Sequence, residues 1–480
     1  MNKLNHVYYT FIIIIIIISL NKTAICKSQI INRLNKKEIN DFYIISKIEI
    51  KGNKTTKSQI IIRELTFSIG DTIHFNNLDS HINRSKESLL NTSLFNYVTI
   101  NSSILNTNFI HISIIVEERW YTWPYPIFEH ADRNFSSFIY SKDYSKINYG
   151  FHFVRYNFRG RNENLSIKTR FGYKEQFMLN YEIPYINKKQ NFGINIEYSY
   201  FQMHETAYNT NNNKLIFYKS DEKYIKKEII AALIATYRIG LYKKHKFTIN
   251  SITCSVADTI AILNPEYFGK ESTNISFFKF RYHYLLNYLD SKAYPLNGYN
   301  FKALLTNYST IIKQKNNFNI FSLELTYNKY FNPTEKIYFS TGIKGKKSNN
   351  NKQAFYIKKA LGYETYLRGF ELYVINGQDY IINQSTFKYE LIKPRIKKFD
   401  FIPLTKFNKI HYAFYLNLFF DSGYVYDKYT QKSDDMVNEF LFSYGIGLDF
   451  VTYYDKIIRF EYSINKYLES GFYMHFKTPF

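Results

Sequence analysis

Arg368, Asp421 and Glu390 are the residues whose types and spacing best fit a chemical interaction, and that interaction is ion pairing. Alternation over residues 415–421 places Asp421 on a polar face, opposite a face of leucine and phenylalanine. The same alternation places Glu390 on the polar face of the preceding strand. A guanidinium carried inward on a folded-back loop would bind both carboxylates through its planar fork. The alternative is that all three charged side chains are solvated separately, which is the usual state of an arbitrary arginine in a wet interior.

Motifs for catalysis are missing from the sequence. It contains no glycine-x-serine-x-glycine elbow, no phosphate-binding glycine loop and no pair of closely spaced cysteines. His204 and Glu205 are not followed by the second histidine of a zinc-protease helix, and Gly445-Ile446-Gly447 lacks the third glycine of a dinucleotide site. We therefore expect no enzymatic activity, no metal and no cofactor.

The first 26 residues have the pattern of a secretory signal peptide. Lys3 supplies a basic start, residues 11–20 form an apolar run, and Ala24 stands at the third position before a cut after Cys26. Lipidation of Cys26 is the alternative, although Ile25 fits a lipoprotein site poorly. Residues 27–42 are interpreted as an N-terminal linker. If the cut follows Cys26, one cysteine remains and no internal disulfide can form.

Composition and charge narrow the class of protein. The 480 residues include 47 tyrosines and 43 phenylalanines, a content typical of membrane strands that a biased genome could also produce. The formal charge of +23 is spread along the chain, which argues against nucleic acid and leaves anionic lipid headgroups as a partner. No other segment has the roughly 18 apolar residues of a spanning helix. An exported chain of this kind is periplasmic, secreted or a β-barrel.

Residues 43–118 show the pattern of a small α+β domain. Alternation predicts strands over 44–50, 97–102 and 109–116, and helical spacing predicts helices over 56–65 and 78–90. Gly52 and Gly70 occupy turns, where a Cβ would be penalised. The predicted order is strand, helix, helix, strand, strand.

This domain resembles a POTRA domain over its whole length. The resemblance is carried by the turn with Gly52 and Asn53, by Gly70-Asp71, by residues 94–98 and by the closing Val116-Glu117-Glu118-Arg119. It implies a periplasmic domain that binds client chains or neighbouring domains by strand addition at its sheet edge. The alternative role is a spacer or plug.

After a linker over 119–133, residues 134–480 show repeated alternating segments of the length of tilted membrane strands. An even number of strands puts both ends of the barrel in the periplasm and the long connections 205–225, 258–273, 346–379 and 422–440 outside the cell. One connection on the periplasmic side, 393–410, is long for a periplasmic turn. Sixteen strands are predicted, near 135–142, 147–157, 163–173, 175–183, 191–204, 226–239, 246–257, 274–287, 297–308, 319–331, 335–345, 380–392, 411–421, 441–451, 457–466 and 471–480.

Several ordered motifs of this region resemble the BamA/TamA-type outer-membrane assembly barrels, so that with the first domain the resemblance covers nearly the whole mature chain. It implies that Arg368 lies inside the barrel beside Asp421, with Glu390 as a second acidic partner, and that the seam between the first and last strands is weak. Phe476 and the terminal Phe480 resemble the C-terminal signal of such barrels. The motifs are the turn over 290–298, the loop Leu367-Arg368-Gly369-Phe370, the strand Phe420-Asp421-Ser422-Gly423, and Gly445-Ile446-Gly447 followed by Arg459 and Glu461.

The expected function is assembly of other outer-membrane proteins, with the POTRA domain receiving clients and the barrel providing a template edge. The expected partners are outer-membrane protein clients and outer-membrane lipids, with periplasmic or lipoprotein accessory proteins as further candidates and no nucleic acid. The expected location is the bacterial outer membrane with the POTRA domain in the periplasm. The alternatives are a two-partner-type secretion pore, a passive channel, and a surface adhesin that uses the long loops.

Overall fold

A computed structural model describes residues 42–477, except 107, 131–146, 221, 311–317, 350–351, 405 and 431–432. The predicted signal peptide 1–26, nearly all of the predicted linker 27–42, and Phe480 lie outside the described residues. Within the described ranges, no helix is both long and apolar enough to cross a membrane.

The N-terminal part of the described chain is a four-stranded sheet with two helices. The sheet order is β2-β1-β4-β3, in which β1 and β4 are parallel and the other neighbours are antiparallel. Its elements are β1 Phe42–Lys51, α1 Ser58–Ile62, β2 Thr72–His74, α2 Leu78–Leu90, β3 Phe95–Asn106 and β4 Phe109–Glu118.

Alternation explains how this small unit folds. Along β4, Ile110, Ile112, Ile114 and Val116 point into one core with Ile45 of β1, and all five are buried. The helix predicted over 78–90 is confirmed, whereas the helix predicted over 56–65 is only the five-residue α1. The short β2 was not predicted, because three residues are too few to show a period.

The rest of the described chain forms one antiparallel sheet of sixteen strands, in which neighbours in space are neighbours along the chain apart from one inserted hairpin. The hairpin β10 Glu205–Asn211 and β11 Lys214–Lys219 extends the connection between β9 and β12. A short helix, α3 Asp258–Leu263, follows β13. The sixteen strands are β5 Thr122–His130, β6 Ile147–Phe158, β7 Glu163–Gly172, β8 Lys174–Ile183, β9 Phe192–Met203, β12 Lys226–Ile239, β13 Lys243–Val256, β14 Asn274–Leu289, β15 Gly298–Ser309, β16 Asn319–Thr334, β17 Ile337–Ser348, β18 Asp379–Lys398, β19 Lys409–Tyr426, β20 Phe440–Thr452, β21 Lys456–Asn465 and β22 Ser470–Lys477.

The predicted number of sixteen strands is confirmed, but the first of them was placed wrongly. Residues 119–133 were interpreted as a linker, and the structure has β5 there, paired with β6 from Thr122 to His130. The strand predicted over 135–142 lies outside the described residues. The long connection predicted over 393–410 is shorter in the structure, because β18 continues to Lys398 and β19 begins at Lys409, which leaves a connection over 399–408.

Side chains along the strands alternate between an apolar outside and a polar inside. On β19, Tyr415, Phe419 and Asp421 are buried, whereas Leu418 and Phe420 are about half exposed. This is the division that alternation predicted for residues 415–421. Polar residues therefore face the interior of the sheet, and leucine and phenylalanine face outward.

Candidate functional site

A loop between β17 and β18, described over residues 352–378, folds back into the interior of the large sheet. A bridge between Leu361 and Ile375 closes its base. Gly369 has φ +80°, which an L side chain rarely adopts, and a Cβ there would lie 3.1 Å from Cβ of Ser443. Leu367 and Phe370 are buried in an apolar cluster that holds the loop against β18, β19 and β20.

Arg368, at the tip of this loop, is held by Asp421. Its Nε donates to Oδ2 of Asp421 over 2.8 Å, and its Nη2 donates to Oδ1. Gln384 also donates to Oδ2 of Asp421, over 2.9 Å, and the guanidinium carbon lies 3.9 Å from the centre of the Phe419 ring. Arg368 is 5% exposed and Asp421 is fully buried. The pair is therefore bidentate and largely removed from water.

The second carboxylate on Arg368 belongs to Glu461 of β21, not to Glu390. Nη1 of Arg368 lies 3.4 Å from Oε1 of Glu461. Glu390 is instead within 3.3 Å of the hydroxyl of Tyr338. The prediction that Glu390 shares the arginine is therefore wrong. Its position on β18 is four residues beyond Thr386 and five beyond Ser385, the two residues that bind the arginine, which is too far along the strand to meet the loop tip.

A second arginine continues this charge network across the interior. Arg459 of β21 binds Asp449 of β20 through two bonds, Nε to Oδ1 at 2.6 Å and Nη2 to Oδ2 at 2.8 Å. Tyr294, in the turn between β14 and β15, donates to the same carboxylate over 2.7 Å. Arg459 also lies 3.9 Å from Oε1 of Glu461. Glu461 thus joins the two arginine pairs.

A cavity of about 400 Å³ separates the loop from the turn that carries Tyr294. Lys344, Gln384 and Lys388 line its wall, and Arg368 and Arg459 lie at its margin. The interior beside the loop thus contains an open space lined by both polar and apolar side chains.

The N-terminal unit is bound to one end of the large sheet. Arg238 of β12 binds Glu64 through two bonds of 2.6 Å, and Arg63 donates to the backbone oxygen of Gln190 over 2.6 Å. Lys409 of the β18–β19 hairpin lies 3.0 Å from Glu117. Burial alone would raise the pKa of Glu64, but the hydrogen bonds and charge of Arg238 hold that pKa below its ordinary value.

The turn residues predicted in this unit have structural roles. Gly52 has φ +92°, and a Cβ there would lie 2.0 Å from the backbone oxygen of Val116. Asn53 donates from Nδ2 to the backbone oxygen of Thr56 over 3.0 Å. Gly70, with φ +91°, donates to the backbone oxygen of Ile45 over 2.8 Å.

The glutamate that bridges the arginines was missed as a site residue, although the sequence contained a signal for it. Alternation along β21 puts Arg459 and Glu461 on one face, and both belong to the quoted motif. Phe476, predicted as part of the C-terminal signal, lies on the outer face of β22 and is 62% exposed. Phe480 lies outside the described residues.

Comparison with family models identifies both parts of the chain. Residues 157–475 match the Omp85 superfamily domain, which is about two thirds of the chain. The chain belongs to the Omp85 superfamily. Residues 43–119 match the POTRA model described as a surface antigen variable number repeat. The predicted fold class, an α+β POTRA domain followed by an all-β transmembrane barrel of sixteen antiparallel strands, is confirmed.

Three solved structures are similar to this chain at low sequence identity. CdiB from Escherichia coli is 11% identical with a TM-score of 0.53, and the match covers 90% of this chain and 75% of that one. BamA from Haemophilus ducreyi lacking POTRA domains 1–3 is 15% identical with a TM-score of 0.49, covering 90% and 84%. CdiB from Acinetobacter baumannii is 13% identical with a TM-score of 0.47, covering 91% and 73%. No curated protein matches the chain in sequence.

Proposed function

We propose that this Omp85 protein inserts other outer-membrane proteins, with its POTRA domain in the periplasm receiving unfolded clients and its barrel offering a strand edge on which they pair. The observation that carries the proposal is the seam of the sheet. β5 and β22 stand at its two ends, and within the described residues no backbone ladder joins them. Because unpaired backbone groups are costly in lipid, a client strand that pairs at such an edge is stabilised as it enters the membrane.

The composition of β5 supports an edge that is easily opened. Pro124 and Pro126 lie two residues apart on this strand, and neither can donate a backbone hydrogen bond. Residues two apart in a strand direct their backbone groups to the same side, so both prolines can remove donors from the edge that β6 does not use. A seam with few backbone hydrogen-bond donors closes weakly. One of its strands can therefore readily exchange its partner for a client strand.

The POTRA sheet has an edge of its own for client binding. Among the described residues, β3 pairs only with β4, and its far end carries the exposed side chains Ile104 and Leu105. An extended chain can add to such an edge through backbone hydrogen bonds. The near end of β3 faces the barrel, where the hydroxyl of Tyr97 donates to the backbone oxygen of Lys409 over 3.3 Å. A client bound to β3 would therefore be held beside the barrel.

The test is a covalent lock on the seam. Purified protein is reconstituted in liposomes, with cysteine pairs that join β5 to β22 by a disulfide, and the folding rate of an added outer-membrane barrel is measured. We expect oxidised seam pairs to lose the acceleration and reduction to restore it. The matched control joins Phe460→Cys to Met474→Cys, which are ladder partners on β21 and β22, and it should keep full activity. Equal activity of locked and unlocked seams would contradict the proposal.

Depletion in cells separates the alternatives. Broad loss of outer-membrane barrels supports assembly, whereas loss of one exported protein supports a two-partner-type secretion pore. Unchanged barrels with altered solute uptake support a passive channel. Lipids and accessory lipoproteins that co-purify would identify the remaining proposed partners.

A further inference from the structure

Three ionisable side chains from three separate segments meet beside the arginine network. They are Glu371 of the inward-folded loop, Glu461 of β21 and His475 of β22. Nε2 of His475 lies 3.3 Å from Oε2 of Glu461 and 3.6 Å from Oε1 of Glu371. One ligand atom from each of the three lies within 4.8 Å of the other two.

These distances suit a shared ion better than direct hydrogen bonds. Charge-assisted N–H···O bonds are usually about 2.7–2.9 Å long. Ligand atoms about 2.0–2.2 Å from a tetrahedral zinc ion are instead separated from each other by roughly 3.3–3.6 Å. The two separations from His475 fall within that second range. The two separations from His475 are thus those of ligands around a common ion, and the third pair of ligand atoms lies within 4.8 Å.

The carboxylates of this group are buried, so they are not ordinary acidic side chains of a protein surface. Glu461 is 1% exposed and Glu371 is 5% exposed. Within the described residues, Oε2 of Glu461 and Nε2 of His475 are buried and make no hydrogen bond of ordinary geometry. Buried polar atoms normally have partners, and these two atoms, which lie 3.3 Å apart, are placed to share an ion.

The nearby arginines leave the space between Glu461 and His475 available for an ion. Nη1 of Arg368 and Nη1 of Arg459 lie 3.4 and 3.9 Å from Oε1 of Glu461, and Oε2 of Glu461 lies 3.3 Å from Nε2 of His475. The ring of Tyr366 stacks on the imidazole at 5.4 Å with an interplanar angle of 14°, which fixes the plane of His475. One imidazole and two carboxylates match the ligand preference of zinc-class ions, whereas magnesium and calcium prefer oxygen alone.

We propose that Glu371, Glu461 and His475 bind a divalent transition-metal ion of the zinc class, with water in the remaining position. The ion would join the loop to the last two strands and so hold the loop next to the seam. The competing state is a protonated His475 shared between the two carboxylates without metal. The proposal does not depend on the proposed function, because its test measures metal binding and not client insertion.

The test uses the full chain in detergent, stripped with a chelator and titrated with Zn²⁺ and with Co²⁺. We expect one equivalent of Zn²⁺ to bind, and Co²⁺ to give the intense visible absorption of a four-coordinate site. X-ray absorption of the zinc-loaded protein should show one imidazole with oxygen ligands. No saturable binding, or a first shell with several imidazoles or none, would overturn the proposal even if no variant could be made.

Substitution of the proposed ligands tests where the ion binds. His475→Asn and Glu371→Gln should each lower Zn²⁺ affinity at least about tenfold, as loss of a ligand or its support does. The matched control is His152→Asn, a strand histidine whose Nε2 lies 2.9 Å from the hydroxyl of Ser166, and it should bind zinc normally. Heat-modifiable migration checks that each variant is folded. Unchanged affinity in both folded ligand variants would place the ion elsewhere and refute the site.

Discussion

At the scale of residues, the interior charges form a connected network and not separate pairs. Arg368 binds Asp421, Arg459 binds Asp449, and Glu461 lies near both guanidinium groups. Two cations thus meet three carboxylates in a region that water reaches poorly. Removing one member of such a network leaves a buried charge without its partner, and this costs more than the intact pair contributes.

Arg368→Ala should therefore release the loop without unfolding the barrel. It leaves Asp421 buried and unpaired, at a local cost of about 3 kcal/mol. The sixteen-strand ladder does not depend on this side chain, so heat-modifiable migration should persist. Arg368→Lys, the matched control, keeps the charge but loses the planar fork and should be intermediate. Protease cleavage within residues 360–375 measures release, and cleavage equal to that of the unsubstituted protein would contradict the expectation.

A charge swap tests the contact itself. Arg368→Asp and Asp421→Arg should each lose loop placement and client insertion, and the double variant should recover part of both. Recovery should be incomplete, because Asp at position 368 would face Glu461, 3.4 Å from the present guanidinium. A disulfide between cysteines at 368 and 421 is the independent check. A double variant no better than the worse single one, with no disulfide, would show that the two side chains do not act as a pair.

Docking of the POTRA domain should weaken at acidic pH. The pKa of Glu64 is lower in the docked state than its ordinary value because the hydrogen bonds and charge of Arg238 outweigh burial. Its contribution is therefore present above the ordinary pKa and is lost as the pH falls through the lowered pKa. Hydrogen exchange of residues 57–65 across this range measures undocking. Glu64→Gln should exchange rapidly at every pH, and a pH-dependent Glu64→Gln protein would assign the effect to another group.

Alternation predicted which face of β19 carries Asp421, but it could not predict which distant strand meets the loop. Glu390 is on the strand next to Asp421, and this made it the expected partner. Glu461 is two strands away from Asp421 on the other side, and the direction in which a loop leans is decided by its packing, here of Leu367 and Phe370. Periodicity holds no information on that packing.

At the scale of elements, β5 explains why one strand was misplaced. Trp123-Pro124-Tyr125-Pro126 has the proline content of a linker, and proline is excluded from the middle of a sheet. Proline is tolerated in an edge strand, and β5 is one end of the sheet. The other fifteen strands were predicted to within a few residues, because each buries one face and exposes the other over about ten positions.

The β10–β11 hairpin and the inward-folded loop should differ in accessibility from outside the cell. Lys214, in the β10–β11 hairpin, is exposed, whereas Phe370 of the inward loop is 2% exposed. A membrane-impermeant thiol reagent added to cells should therefore label Lys214→Cys and spare Phe370→Cys. Labelling of both variants after denaturation is the control for reactivity. Strong surface labelling at position 370 would show that the loop lies outside the barrel.

At the scale of the whole molecule, the POTRA domain and the barrel are one bonded unit. Glu64 and Glu117 each bind a basic side chain of the barrel, and Lys57 donates from its backbone to the backbone oxygen of Gly160 over 2.9 Å. The two domains and their order were predictable from motifs and periods. Their docking was not, because it depends on which turn residues face the POTRA domain once the barrel has formed.

The end of the chain should control the yield of folded protein. Deleting Phe480 should lower the amount of heat-modifiable barrel in the membrane, because a terminal aromatic resembles the signal that outer-membrane barrels present for assembly. Phe472→Ala, on the outer face of the same strand and 63% exposed, is the matched control and should reduce the yield less. Equal yields with and without Phe480 would leave the aromatic as ordinary composition.

The position of the arginine loop along the chain also sets an order of events during biogenesis. The loop is made before β19, β21 and β22, yet Arg368 and Glu371 contact residues of those strands, up to about a hundred positions later. Hairpins between successive strands close short segments, whereas these contacts close long ones, and the contact between Glu371 and His475 must await the last strand. Anchoring of the loop is therefore completed late in maturation, and a barrel stalled before β22 would hold the loop through Asp421 but without the contact between Glu371 and His475.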